Sequence, residues 1–451
     1  MPEKKQVIVR FAPSPTGFLH IGGARTALFN YLFAKNNNGK FLLRMEDTDR
    51  ERSKNIYATD IIDGLKWLGL PHDDDVVVQS KRADIYKKYL NILVSKGSAY
   101  VSDESLTEDD ASSKNKTRLR KQVIRFNNPN KKVTFKDIIR GEIVFDSTEL
   151  GNFVIAKSLE EPVYHLAVVA DDYEMNITHV IRAEDHISNT PRQILLQEAL
   201  GFPQPRYAHI PLILASDRSK LSKRHGAISV LEYKNMGYLP EALVNYLSLL
   251  GWNPGNDSEM FDLEQLIKYF DISKVQKGGA IFNIEKLDWF NREYLKKLNV
   301  NEIENVISSA LPNLPQNSVK SLATVIIERI YRLHDIDDLI KNGDFDFLAK
   351  TPTYESNRLI WKDSNKDETG NNLKQVKNIL ESMDSKLLTK ESVKSALWDF
   401  ASEKGRGNVL WPLRFALSGK DKSPDPFILI EILGKDETIL RIDRAISLLR
   451  K

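Results

Sequence analysis

Arg10-Phe-Ala-Pro-Ser-Pro-Thr-Gly-Phe-Leu-His-Ile-Gly-Gly23 sets a glycine-bearing turn directly between an apolar strand and an amphipathic helix. The strand, residues 7–11, has the β-branched and aromatic content of a buried parallel strand, and the helix, from about Ala24, carries Ala27, Leu28, Tyr31 and Leu32 at helical spacing. Pro13 and Pro15 stiffen the approach, and Gly17 relieves a bend. Gly22 and Gly23 let backbone come close to a ligand at the positive end of the helix, with His20 placed to donate to a phosphate oxygen. Taken alone, such a turn is equally an ordinary tight connection. A second basic element, Lys220-Leu-Ser-Lys-Arg224, follows the apolar run 210–214 and offers Lys220 and Lys223 to a polyphosphate.

Outward from that turn, strand and helix alternate. A strand at 41–45 precedes a helix over 53–68, with Ser53 as its N-cap and Gly69 and Pro71 as its stop. Ser80 opens a further helix that presents Ile85, Tyr89, Leu90 and Leu93 on one face before Gly97. This is the pattern of a doubly wound, Rossmann-type α/β domain, whose first part spans 1–98. From 99 to 176 charged loop and short strands (123–126, 143–145, 153–156) replace it, which predicts an inserted α/β domain. The nucleotide-fold pattern resumes over 177–240, where Thr190 caps a helix with Pro191 at its first position and 206–214 reads as a last strand before the lysine loop. Beyond it, 241–300 is a transitional region, and 301–451 is all-helical, with apolar residues three or four apart over 321–333, 373–383 and 392–403.

Composition narrows the class. With 451 residues the chain exceeds the roughly 250 to 300 residues of a single core, so it is multidomain. Its apolar runs are too short for a bilayer and its first residues lack the core of a secretory signal, which together predict a cytoplasmic protein with no membrane partner. Cysteine is absent, so disulfides, a thiolate zinc site and a cysteine nucleophile are excluded. The net charge of +3 does not by itself point to nucleic acid. A local patch does offer a phosphate surface: Lys114, Lys116, Arg118, Arg120 and Lys121, then Arg125, Lys131, Lys132, Lys136 and Arg140. On charge alone it is as readily a solvated loop.

His20-Ile-Gly-Gly resembles the HIGH motif, and Lys220-Leu-Ser-Lys-Arg the KMSKS motif, of class I aminoacyl-tRNA synthetases. The longer strings Arg10-Phe-Ala-Pro-Ser-Pro-Thr-Gly, Arg44-Met-Glu-Asp-Thr-Asp-Arg50 and Val180-Ile-Arg-Ala-Glu-Asp-His186 are similar to those of bacterial glutamyl-tRNA synthetases, in family order, over residues 1 to about 250. The resemblance implies ATP-dependent ligation of L-glutamate to tRNA(Glu) through a glutamyl-adenylate, with Mg²⁺ accompanying ATP, by a monomer. It implies that His20, Gly22, Gly23, Lys220 and Lys223 serve ATP, with His20, Lys220 and Lys223 catalytic. It implies that Arg10, Ala12, Ser14, Glu46, Tyr164 and Arg182 surround glutamate, with Arg10 facing the side-chain carboxylate and Glu46 the α-ammonium. The insert then meets the acceptor end of tRNA through Lys116, Arg118 and Arg120, 241–300 contacts the stem, and the helical region binds the anticodon, where glutaminyl and eukaryotic cytosolic relatives have β-barrels.

The chain departs from the family in two places. Some bacterial members bind zinc through cysteines of the insert, and here Val101, Ser102 and Asp103 occupy that neighbourhood, so no zinc and no other protein-bound metal is expected. The insert is also shortened, with 112–121 in place of a tyrosine-containing stretch. Alternative readings are an enzyme that also charges tRNA(Gln), one that glutamylates a modified tRNA base, an inactive RNA-binding paralogue, and a small-molecule nucleotidyltransferase.

Overall fold

The structure is a computed structural model that describes residues 6–103, 122–221, 228–298, 300–385 and 388–451. It divides into two compact units, Met1–Phe290 and Asn291–Lys451.

In the first unit β1 (Ile8–Phe11), β2 (Lys40–Met45) and β3 (Val77–Val78) form a parallel sheet in that order. The crossover from β1 to β2 is α1 (Ile21–Asn36), which begins three residues before its expected start. His20 is extended backbone (φ −93°, ψ 165°) and its ring accepts the Gly23 amide, so it caps the helix and puts both glycines in the first turn. Where α1 returns to β2, the Lys40 amide donates to the Val7 carbonyl (2.8 Å), and a Cβ on Gly39 would stand 2.2 Å from that same oxygen.

The helices α2 (Asn55–Trp67) and α3 (Ala83–Ser95) follow, but neither has its expected serine cap. Lys54 and Arg82 stand at the N-cap positions without a side-chain bond. Ser80 instead gives its amide (2.8 Å) and hydroxyl (2.6 Å) to Asp47 beyond the end of β2.

The inserted segment holds β4 (Ala99–Asp103), β5 (Gln122–Phe126), β6 (Lys132–Asp137), β7 (Gly141–Asp146), β8 (Val154–Ser158) and β9 (Glu161–Pro162). Four of these make an antiparallel sheet in the order β4-β5-β8-β9. The β6-β7 hairpin leaves that sheet and joins β10 (His179–Ala183) and β11 (Arg206–Ile210) in the order β10-β11-β6-β7. Its joint is the Tyr207–Asp137 pair, with the Ile138 amide on the Tyr207 carbonyl (2.9 Å). α4 (Tyr164–Glu174) precedes β10, and α5 (Thr190–Leu200) leads from β10 to β11. Asn189, not Thr190, stands at the N-cap of α5, without a side-chain bond; Thr190 is already helical backbone, and its hydroxyl is engaged by Arg182. Thr178 donates its amide to the Ile8 carbonyl (2.9 Å), which sets β10 beside β1. The two parallel groups therefore meet at β1 and β10, and the carboxyl ends of both open on one crevice.

Pro211 breaks the expected strand 206–214 after β11. The two residues of β12 (Ile213–Leu214) turn away and pair with β13 (Ala280–Ile281). Between them run α6 (Val230–Asn235), α7 (Pro240–Leu249) and α8 (Leu263–Tyr269). Near the end of the unit begins α9 (Ile284–Leu295).

The second unit is helical, as the sequence predicts: α10 (Val300–Ala310), α11 (Gln316–Ile326), α12 (Asp335–Lys341), α13 (Asp346–Ala349), α14 (Lys366–Ser382), α15 (Lys390–Lys404), α16 (Arg406–Ser418) and α17 (Pro426–Leu449). Its centre is α17, capped by Asp425 with Pro426 in the first turn and interrupted at Gly434 (φ 76°). Against α17 pack α11, α14, α15 and α16, burying Leu322, Leu373, Leu397 and Leu413 together with Leu429, Ile442 and Ala445.

Candidate active site

The turn after β1 is pinned from two sides at Leu19. Its amide donates to Asp60 Oδ2 of α2 (2.7 Å), and its carbonyl accepts the Val230 amide of α6 (2.8 Å). His20 is thereby fixed. Its Nδ1 accepts from Gly23 (3.2 Å), so in the neutral ring the proton sits on Nε2, the nitrogen left for a ligand. Burial lowers the His20 pKa, Lys220 lowers it further and Asp185 partly opposes this, so the imidazole is neutral at pH 7. A Cβ on Gly22 would lie 3.0 Å from His20 Cε1, so a larger residue there would press the ring from its place.

Lys220 faces this turn from the other side. Its Nζ bonds Asp185 Oδ2 (2.8 Å) just past β10, and burial of Asp185 is outweighed by Lys220 and His186, which hold its carboxyl below the usual range. After the lysine loop the chain returns to the turn, where Ser229 forms a bridge with His20 and caps α6 through a reciprocal box with Glu232. Lys223 lies outside the described residues.

Below the turn, at the ends of β1, β2 and β10, lies a buried group of opposite charges. Arg10 is 3% exposed and donates its Nε to Asp172 Oδ1 (3.1 Å). Its two terminal nitrogens have no hydrogen-bond partner among the described residues. Arg44 is fully buried and reaches Asp172 Oδ1 with Nη1 (2.7 Å) and Glu46 Oε1 with Nη2 (2.9 Å). Asp172 is held below the usual carboxylate range because Arg10 and Arg44 overcome its burial. For Glu46 the balance is reversed, and burial raises its pKa against both arginines. Tyr164, at the start of α4, faces Glu46, Arg182, Arg10 and Arg44, and burial followed by Glu46 raises its pKa. Behind Asp172, Asp171 accepts from Gln79 (2.8 Å), Arg82 (2.7 Å) and the Tyr86 hydroxyl (2.9 Å), which locks α4.

The structure brings Arg10, Glu46, Tyr164 and Arg182 within electrostatic reach of one another, and sets Lys220 near His20 at the start of α1, which carries Gly22 and Gly23. Ala12 and Ser14 lie on the segment between, half-buried and exposed. Lys116, Arg118 and Arg120 fall outside the described residues. Sequence reasoning missed Asp171, Asp172 and Asp60. The signal for the first two is an acidic pair inside the otherwise apolar run of α4, Leu166-Ala-Val-Val-Ala-Asp-Asp172. Among the described residues no group of three histidine or acidic side chains could hold a metal ion, and no helix is long and apolar enough to cross a membrane.

Parallel strands on either side of β1 and β10, with a histidine-capped glycine turn at their carboxyl ends and a lysine opposite, make the crevice of a Rossmann-type α/β domain. Residues 6–116 and 104–289 match the family described as tRNA synthetases class I (E and Q), catalytic domain, and 266–446 match an anticodon binding domain. The chain belongs to these class I synthetases of the glutamate and glutamine group. It is 39% identical to glutamate–tRNA ligase 1 of Caldanaerobacter subterraneus subsp. tengcongensis, over 99% of this chain and 98% of that one. Identity with the glutamate–tRNA ligase of Thermodesulfovibrio yellowstonii is 40%, over 98% and 99%. A crystal structure of a glutamate tRNA ligase from Elizabethkingia meningosepticum in complex with its amino acid superposes with a TM-score of 0.85 at 32% identity, covering 99% of this chain and all of that one.

Proposed function

We propose that this chain is a glutamate–tRNA ligase that uses ATP to join L-glutamate to the 3′ end of tRNA(Glu), releasing AMP and diphosphate. One observation carries the reading. Arg10 spends only Nε on Asp172, so both terminal nitrogens remain for a carboxylate, and Glu46 stands beside them for an ammonium. A charge-assisted bond of this kind contributes roughly 1.5 to 3 kcal/mol, which neutral glutamine does not match.

In this reading the glutamate side chain lies against Arg10 and Arg182, under Tyr164, with Ala12 and Ser14 along its flank. Its α-carboxylate attacks the α-phosphate of ATP, diphosphate leaves, and a terminal ribose hydroxyl of the tRNA then takes the acyl group from the adenylate and AMP leaves. No protein nucleophile is required. His20, through its Nε2–H, and Lys220 with Lys223 offset charge on the phosphates, while Gly22 and Gly23 let them approach the amino end of α1. Mg²⁺ enters with the phosphates of ATP, as suits an ion that keeps much of its water and seldom uses an all-protein cage. With no cysteine in the chain, no thiolate zinc enters the reaction. The insert over 99–176, Lys116, Arg118 and Arg120 included, takes the acceptor end of the tRNA. Residues 241–300 take its stem and 301–451 its anticodon, and the enzyme works as a cytoplasmic monomer.

The test is aminoacylation by the full chain with radiolabelled glutamate, ATP, Mg²⁺ and separate tRNA(Glu) and tRNA(Gln) transcripts. Charging of tRNA(Glu) is expected; a folded chain that charges neither transcript refutes the reading.

A further inference from the structure

Arg182, on β10, is held by three neighbours, His209, Thr190 and His186. Its Nε donates to His209 Nε2 (3.2 Å), which the Thr190 hydroxyl also approaches (3.2 Å), and its Nη2 to Thr190 Oγ1 (2.8 Å) and the His186 carbonyl (3.4 Å), while Nη1 is buried without a partner. A buried donor left unpaired is costly, and a carboxylate brought to Nη1 would satisfy it.

His209 is fully buried, and its Nδ1 lies 2.7 Å from Asp137 Oδ2. Asp137 also accepts the amides of Ile139 (2.9 Å), Arg140 (2.9 Å) and His209 (3.0 Å), which fill its carboxylate. An ionised carboxylate only accepts, so the imidazole proton sits on Nδ1 and a lone pair is left on Nε2. That tautomer alone can receive a bond from a guanidinium, which has no acceptor to offer. Burial and the nearby Arg182 and Arg140 keep the ring neutral against the pull of Asp137. The Tyr207 ring lies 12° from parallel to the imidazole and 6.0 Å below the guanidinium carbon, which limits how either can tilt.

Asp137 belongs to the inserted hairpin, at the single point where β6 pairs with β11. Resting on the glutamate reading above, we propose that Asp137 and His209 are positioning residues of the amino-acid site: the hairpin carboxylate selects the imidazole tautomer, and the imidazole aims Arg182 so that Nη1 meets bound glutamate. The insert is then part of the machinery that recognises the amino acid, although neither residue touches it.

The decisive variant is Asp137→Asn. Its amide can donate to Nδ1, which drives the ring proton to Nε2, where it opposes the Arg182 Nε–H. Charging kinetics are measured with glutamate, ATP and tRNA varied in turn, for the wild type, Asp137→Asn, His209→Met and His209→Gln, with a thermal melt of each. Asp137→Asn and His209→Met are expected to raise the KM for glutamate about tenfold or more, the scale of losing such a supporting bond, and to leave the KM values for ATP and tRNA unchanged. His209→Gln keeps an acceptor for Arg182 and should recover much of the loss. An unchanged KM for glutamate in both disruptive variants, or a loss spread equally over all substrates and tracking the melt, overturns the positioning role. A wild-type chain that charges no glutamate overturns the reading beneath it instead.

Discussion

His20 illustrates how one side chain is divided between structure and chemistry. Nδ1 is committed to the Gly23 amide and Nε2 is not, so replacement removes a helix cap and a phosphate donor together. His20→Ala should lower the charging rate about a hundredfold or more, by loss of one positioned donor, and stability by only about 1 kcal/mol. Turnover within a few-fold of wild type would remove His20 from the reaction. Arg10→Lys keeps the charge but not the two-nitrogen fork, so it should raise the KM for glutamate at least tenfold with little change in kcat; equal kinetics would mean that the side-chain carboxylate binds elsewhere. Arg10 and Glu46 were legible in the sequence because they sit in strings that resemble a known family. The bonds of Asp172 were not, since its partners lie 162 and 128 residues away and no local pattern encodes them.

At the scale of elements, the strands and helices on either side of the first turn were legible because their apolar spacing is strong. Their ends were less so. Ser80 and Thr190 look like caps, yet tertiary partners claim their hydroxyls: Asp47 takes one and Arg182 the other. The strand β6 was hidden under its charge, since Lys131, Lys132 and Lys136 read as part of a basic loop. Its alternation was nonetheless present, with Val133, Phe135 and Asp137 buried and Lys132, Thr134 and Lys136 exposed. That this hairpin joins β11 is a non-local pairing which periodicity does not encode. The close approach of Gly39 to Val7 is an element-level constraint of the same kind. Gly39→Ala would force β1 and β2 apart at their start and should cost about 1 to 3 kcal/mol, read as a lower denaturation midpoint. An unchanged midpoint would show that the backbone there yields freely.

For the molecule as a whole, acid is the condition to which the first unit answers. Burial pushes His165, His179 and His186 down to about 4, and lowers His20 and His209 as well. Unfolded, each titrates near 6.5, so as pH falls the unfolded chain takes up protons first. The contribution of these rings is therefore lost between about pH 6.5 and 4, and below that range protonation of Asp172, Asp185 and Asp137, held low in the folded state, removes more. Calorimetry between about pH 7 and pH 5 should show the midpoint of the first unit falling, with a smaller fall in His179→Gln; a flat midpoint would contradict the burial of these rings. The pocket carries a different consequence. Around Tyr164, Arg44 is spent on Glu46, Asp171 and Asp172, whereas Arg10 and Arg182 keep terminal nitrogens without a hydrogen-bond partner among the described residues. Those unspent donors suit a small anion when no substrate is present, and on the glutamate reading a carboxylate of the amino acid takes its place. At constant ionic strength, chloride salts should therefore weaken glutamate binding more than gluconate salts do, because the smaller ion enters the vacancy that glutamate is meant to fill.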